Sequence, residues 1–346
     1  MKVLLLSKYR HLEIADAATP VPADGEVLIR VEACGICGSD VHGYDGASGR
    51  RIPPIVMGHE AAGTIAELGP GATGLARGDR VTFDSTIYCG ACAPCLRGEV
   101  NLCDRRQVLG VSCTEYRRAG AFAEYVSVPA RIVYRLPESI SFAEAAMLEA
   151  VAVAMHAVSL VTIPSGASAL VVGAGTIGLL VLESLRAIGC TRVFVADVDA
   201  SRLKLAKDLG ATAVLSAQAD TVRQVLDLTS GMGVDVVVEA VGRNETVAAA
   251  IGCVRKGGSV VLVGNIAPEV TLPLQKVVTR QIRLQGSCAS AGEYPRAIEW
   301  MATGAIRVKP LITAIAPLDQ GPRWFERLYA REPDLMKVVL VPGTPA

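Results

Sequence analysis

Cys89, Cys92, Cys95 and Cys103 fall within fifteen residues, spaced C-x2-C-x2-C-x7-C. Four thiolates close a tetrahedron around one Zn²⁺, and spacers this short let a single loop supply all four. The loop is rich in glycine and proline, so it has little regular structure of its own and a metal would hold it in shape. Disulfides or buried free thiols are the competing reading; the spacing fits zinc better. A closed all-cysteine site leaves no position for a substrate, so this one is expected to be structural, in a lobe spanning 86–106.

An open site needs other residues. Gly35-Ile36-Cys37-Gly38-Ser39-Asp40-Val41-His42 is followed about twenty residues later by Gly58-His59-Glu60. A cysteine thiolate and a histidine imidazole are good Zn²⁺ ligands, and a carboxylate can be a third. Two of the chain's four histidines fall inside these two segments.

A third motif points to a nucleotide. Gly173, Gly175 and Gly178, with Thr176 and Ile177 between the last two, form G-x-G-x-x-G directly after an apolar strand and at the start of a helical stretch. The first glycine makes the turn, the second lets the backbone approach a pyrophosphate, and the third lets helix and strand pack closely. The helix N-terminus faces the anion. Asp197 ends the next strand, nineteen residues past Gly178. Its carboxylate can accept from ribose hydroxyls and would repel a 2′-phosphate, which favours NAD over NADP. Arg202 could line the same ribose or soften that discrimination.

The elements that must position these groups follow from length and pattern. The chain has 346 residues, enough for two domains. Hydrophobic residues make up 51% and aromatics 4%, so the core must be aliphatic, as suits parallel strands buried on both faces. Up to about residue 150 the pattern is of short strands and frequent turns, with Val27, Ile29 and Val31 at every second position as in a strand. Beyond Ile163-Pro164-Ser165-Gly166, apolar strands at 169–172, 192–196, 234–238 and 259–263 alternate with helical stretches at 176–188, 201–209 and 245–254. That order implies a doubly wound parallel sheet. The tail ends in an apolar strand at 337–341 and is expected to return to the first domain. The expected layout is a catalytic domain at 1–153 rejoined by 290–346, with a nucleotide domain at 154–289. Lysine plus arginine and aspartate plus glutamate balance at 34 each, which gives no basic excess for a nucleic acid or a membrane surface. No apolar run is read as reaching transmembrane length. Ten cysteines without a secretory signal point to a cytoplasmic protein with reduced or metal-bound thiols.

Together the Cys37–His42 segment, Gly58-His59-Glu60, the cysteine lobe and the glycine turn resemble the zinc-dependent medium-chain dehydrogenase/reductase family, in their order and over nearly the whole chain. Within it the chain is similar to the sorbitol dehydrogenase-like polyol branch. The resemblance implies an α/β fold, with a β-rich GroES-like catalytic domain and a Rossmann nucleotide-binding domain. It implies a catalytic zinc on Cys37 and His59, with Glu60 a ligand or near-ligand and Glu149 a further carboxylate near the metal, although Ala150 stands where the branch has proline. It implies a structural zinc on the four lobe cysteines, making two per chain, and NAD as cofactor. Ser39 and His42 match the positions of a proton path to the surface. Asp40 is expected to orient His59, His156 to be structural, and His11 to lie on the surface.

The implied reaction is oxidation of a secondary alcohol of a polyol or sugar to a ketone. The substrate itself is less legible. The stretch from Gly286 to Tyr294 lacks the arginine that the polyol branch carries there. Tyr44 sits where an aromatic residue lines the pocket in that branch, while Gly43 is smaller than the branch has. Arg50 and Arg51, on the loop before His59, are expected to be solvated. A threonine- or 2,3-butanediol-type zinc dehydrogenase and a non-catalytic nucleotide-sensing scaffold are the alternatives. The resemblance also implies a homodimer or homotetramer joined through a sheet edge near 260–274.

Overall fold

The computed structural model describes residues 1–112 and 117–343. The chain divides into two compact units. One comprises Met1–Glu149, Tyr294–Ala302 and the stretch from Val308 onward; the other comprises Ala150–Glu293 and Thr303–Arg307.

The first unit is organised around the strand Glu26–Gly35. Val27, Ile29 and Val31 belong to one core, and Leu28 between the first two is buried as well, so the strand is covered on both faces near its start rather than half-buried. It pairs antiparallel with Glu60–Leu68 along one edge. Along the other it pairs with Tyr125–Pro129 and, near its end, with the tail strand Lys337–Val341. Gly35 is thereby opposite both Glu60 and Val339. This register brings the segment before Cys37, the start of the Glu60 strand and the tail to one place. Leu4, Ile29, Ile65, Phe83, Phe122, Phe325 and Leu340 fill the core beneath them.

The second unit holds a six-stranded parallel sheet. Its order is Ala213–Ser216, Arg192–Asp197, Ser168–Val172, Val234–Glu239, Val254–Leu262 and Arg283–Gly286. Strand order reverses beside Ser168–Val172, which is buried at every residue; ligands of such sheets bind outside the strand ends at this switch point. Val260 lies on Val254–Leu262, which has a partner on each side, so the expected sheet edge is one strand too early. The edge on that side is Arg283–Gly286, whose sequence Arg-Leu-Gln-Gly has too little apolar patterning to announce a strand. The stretch Phe142–Ser159 also departs from expectation. It is apolar and long enough to cross a membrane, but 67% of it is buried inside the protein, as a core helix would be.

Candidate active site

Cys37 caps the six-residue helix Gly38–Gly43. Its sulfur accepts from the Ser39 N–H at 3.4 Å, while the Asp40 carboxylate accepts from the Cys37 N–H at 3.4 Å. This reciprocal cap fixes the thiol and buries Asp40 completely. On the other segment, Gly58 has φ +93°, and a Cβ there would meet Phe122 at 2.8 Å. Only glycine makes that turn against the ring, and the turn delivers His59 and Glu60 inward. Gly35 has a similar use: a Cβ on it would lie 2.4 Å from Glu60 Oε2, so its bareness makes room for the carboxylate.

The ligand atoms of Cys37, His59 and Glu60 all lie within 4.8 Å of one another. His59 is 6% exposed and Glu60 1%. His59 Nδ1 lies 3.5 Å from Asp40 Oδ1, an ion-pair distance, and makes no hydrogen bond; Nε2 lies 3.5 Å from Ser39 Oγ. Burial alone would push the imidazole pKa down, but Asp40 and Cys37 outweigh it and hold it well above the ordinary value. Burial likewise opposes ionisation of Asp40, yet His59 and Arg51 bring it down to about 2. Asp40 thus stands as a carboxylate aimed at His59, the arrangement that orients metal-ligating imidazoles. Thiolate, imidazole and carboxylate converging from two segments is a donor set that suits Zn²⁺ and leaves a coordination position open.

Glu149 belongs to the same neighbourhood but not to that set. Its carboxylate accepts from Ser85 Oγ at 3.2 Å. Burial pushes its pKa up to about 7; His59 pulls it down, while Glu60 and Asp84 raise it. Glu60 is instead held by Lys337, whose Nζ is 2.5 Å from Oε2, with both side chains 3% exposed or less. Sequence reading missed Lys337; its one signal was a cation opening an otherwise apolar strand.

Two expectations need correction. Arg51 is buried rather than solvated, because its guanidinium pairs with Asp40 at 3.0 Å; Arg50 is exposed. Tyr44 is 4% exposed, packs against Phe325 and Tyr329, and donates its hydroxyl to the Arg10 carbonyl at 2.9 Å. It is a core residue, not a pocket wall. Ser39 is exposed and His42 half-buried, three residues apart and so on neighbouring positions of one helical turn. His11 is exposed. His156 is buried and pairs with Glu293 at 2.8 Å.

In the lobe, the sulfurs of Cys89, Cys92, Cys95 and Cys103 also lie within 4.8 Å of one another. The Ala91 N–H holds Cys89 down to about 6, whereas desolvation and then Cys92 push Cys95 up to about 12. Four thiols this close cannot all ionise unaided; a divalent cation bound among them would supply the missing charge.

The nucleotide turn lies in the second unit. Gly173 has φ +98°, and a Cβ there would meet Val241 at 2.6 Å. A Cβ on Gly178 would lie 1.7 Å from the Gly173 carbonyl oxygen, which is the close helix–strand contact expected of it. Around Gly175, by contrast, a Cβ would meet nothing within 4 Å. Gly175 precedes the helix Thr176–Ala187 with no side-chain cap, so the helix N-terminus is available to an anion. Asp197 Oδ2 accepts from the Ala174 N–H at 2.6 Å and Oδ1 from the Asp199 N–H at 2.9 Å. Arg202 Nε lies 3.7 Å from Asp199. Glu239, not singled out from sequence, is fully buried and accepts from the Val241 and Gly242 N–H groups at 2.9 Å, fixing the loop that packs on Gly173.

Residues 23–138 match the alcohol dehydrogenase GroES-like domain, and residues 176–303 match the zinc-binding dehydrogenase domain. The chain is 35% identical over 336 residues to the uncharacterized zinc-type alcohol dehydrogenase-like protein YdjJ of Escherichia coli (strain K12), covering 95% of each. It is 32% identical over 348 residues to sorbitol dehydrogenase of Bacillus subtilis (strain 168), covering 99% of this chain and 98% of the relative. Among solved structures, a putative zinc-binding dehydrogenase from Sinorhizobium meliloti 1021, bound to NADP, superposes with a TM-score of 0.90 at 32% identity, covering 99% of each chain. With both domain types present and relatives similar along almost its whole length, the chain belongs to the zinc-dependent medium-chain dehydrogenase/reductase family, in its polyol dehydrogenase branch, and is an oxidoreductase.

Proposed function

We propose that this protein oxidises a secondary alcohol of a polyol or sugar to a ketone, with NAD as hydride acceptor and two zinc ions per chain. The convergence of Cys37, His59 and Glu60 carries the reading, since three mixed ligands in a buried site leave room for a substrate oxygen. Zinc bound there supplies the Lewis acidity that eases loss of the hydroxyl proton near neutral pH. The dinucleotide supplies the hydride acceptor.

The chain's own residues do the rest. Asp40 faces His59 Nδ1 and leaves Nε2 as the ligand atom. Lys337 neutralises Glu60, which sits at ligand distance and is the proposed resting ligand; Glu149, tied to Ser85, is the reserve carboxylate. Ser39 takes the substrate proton and His42, half-buried on the neighbouring turn position, passes it to solvent. Cys89, Cys92, Cys95 and Cys103 hold the second zinc and shape the lobe. Gly173, Gly175, Thr176, Ile177 and Gly178 bind the pyrophosphate, and Asp197 the adenosine ribose. Arg202 pairs with Asp199, which makes it less free to attract a 2′-phosphate and supports NAD. The NADP bound to the Sinorhizobium meliloti protein keeps NADP as a second reading. We assign a homodimer or homotetramer contact to the face around Arg283–Gly286, where Leu274 and Val278 are exposed on the adjoining helix, and a cytoplasmic location to the reduced thiols.

The test is a panel of polyols, sugars, threonine and 2,3-butanediol assayed with NAD and with NADP, following absorbance of the reduced cofactor, alongside metal analysis. Turnover of a polyol with NAD and two zincs per chain is expected. Preference for NADP overturns the role given to Asp197, and one zinc per chain overturns the two-site assignment.

A further inference from the structure

Arg51 is a buried charge that the proton path and the ligand set leave unused. Its Nε and Nη2 donate to Asp40 Oδ1 at 3.1 and 3.0 Å, and Nη2 also donates to Ser39 Oγ at 3.1 Å. The side chain is 4% exposed. Its stem follows a reserved path: a Cβ built on Gly43 would lie 2.2 Å from Arg51 Cγ and 2.9 Å from its Cβ. The bareness of position 43 and the arginine at 51 are therefore one feature, in which the arginine occupies the space a side chain at 43 would fill.

We propose that Arg51 is a positioning residue of the proton path, setting the direction in which the Ser39 hydroxyl accepts and donates. The proposal rests on the role given above to Ser39. A serine hydroxyl offers two lone pairs and one proton. A guanidinium has no acceptor and stays charged, so it holds one lone pair permanently. The other lone pair is left for the substrate proton, and the original hydroxyl proton leaves as that one arrives, so the serine ends as it began. Without Arg51, the hydroxyl rotates among orientations that do not connect substrate and exit. Arginine suits the position because its planar fork spans the carboxylate and the hydroxyl together, which a lysine ammonium cannot reproduce with fixed geometry.

The experiment compares Arg51→Ala, Arg51→Lys, Gly43→Ala and Ser39→Ala in the zinc-loaded enzyme with its best substrate. Arg51→Ala is expected to keep both zincs and its affinity for the dinucleotide. Its kcat should fall about 10- to 100-fold, the worth of one charge-assisted hydrogen bond, with KM little changed. Its solvent deuterium isotope effect should rise as the proton step becomes limiting. Millimolar guanidinium ion should restore part of the rate in Arg51→Ala and none in Ser39→Ala. Gly43→Ala, which displaces the arginine stem without touching the hydroxyl, should slow turnover in the same way. Should Arg51→Ala fail to fold, Arg51→Lys carries the same comparison, with the charge kept and the fork lost. Unchanged kcat in the arginine variants, loss of zinc, or a slower enzyme with an unchanged isotope effect overturns the proposal. If Ser39→Ala alone is slow, only the role of Arg51 falls; if Ser39→Ala is as fast as the parent, the proton-path reading falls with it.

Discussion

Replacing Lys337 by methionine tests how the site holds its carboxylate. Lys337 Nζ is 2.5 Å from Glu60 Oε2, and the two side chains are 3% and 1% exposed. At an effective dielectric of about 20, unit charges at that separation attract by about 7 kcal/mol. Relaxation recovers part of this, so stranding one partner of such a pair costs about 3–5 kcal/mol. Glu60 and Glu149 both act on Lys337, and the stranded charge would keep an acidic neighbour. In zinc-free protein, Lys337→Met should therefore lower the thermal midpoint by about 6–20 °C, taking about 2–4 °C per kcal/mol for a unit of this size. Adding Glu60→Gln should return part of the loss, with a coupling of about 1–3 kcal/mol. Saturating zinc should narrow the gap between variant and parent, because a dication beside Glu60 replaces the missing ammonium. The measurement is a set of melts on chelator-treated and zinc-loaded proteins. A zinc-free loss under about 1 kcal/mol, or strict additivity with Glu60→Gln, refutes the claim that this pair compensates a buried charge.

The nucleotide turn yields a contrast between two single-methyl changes. Gly178→Ala places its Cβ 1.7 Å from a backbone oxygen and should destabilise the second unit by about 2 kcal/mol or more, whereas Gly175→Ala meets only open space. Gly175→Ala should keep the parent melting point and lose dinucleotide affinity in titration calorimetry; normal affinity in that variant removes the pyrophosphate from its assigned place. Acid stability offers a third test. Burial raises the Asp235 pKa, but the Ser168 N–H and the Arg255 guanidinium outweigh it and hold it below the ordinary value. A depressed carboxylate contributes stability that is present above its unfolded pKa near about 4 and lost as pH falls through the folded value. Urea midpoints of Asp235→Asn should accordingly fall less steeply below about pH 4 than those of the parent, by no more than about 1 kcal/mol once solvent screening is counted. Parallel slopes would show the group contributes nothing.

The readable parts of this protein are those encoded within short windows. The lobe cysteines, spaced by two, two and seven residues, are brought together by one loop, and the structure gathers all four sulfurs. The glycine turn specifies its own backbone path, because Gly173 needs φ +98° and Gly178 needs no side chain at all. Aliphatic strands buried on both faces, separated by helical spacing, announce a parallel sheet without reference to anything distant. Hidden from such reading were the partners of charges. Lys337 is 277 residues from Glu60, and their meeting depends on Gly35 pairing with Glu60 on one side and Val339 on the other. Arg51 on a glycine-bearing loop has the composition of a solvated residue; only the path left open by Gly43 carries it to Asp40. Tyr44 beside a metal segment suggests a pocket wall, but its environment is set by Phe325 and Tyr329 from the far end of the chain. Periodicity and turn chemistry are local properties of the backbone, so the sequence states them directly. Burial of a charge and choice of its counter-charge are properties of strand register and packing, which only the folded chain decides.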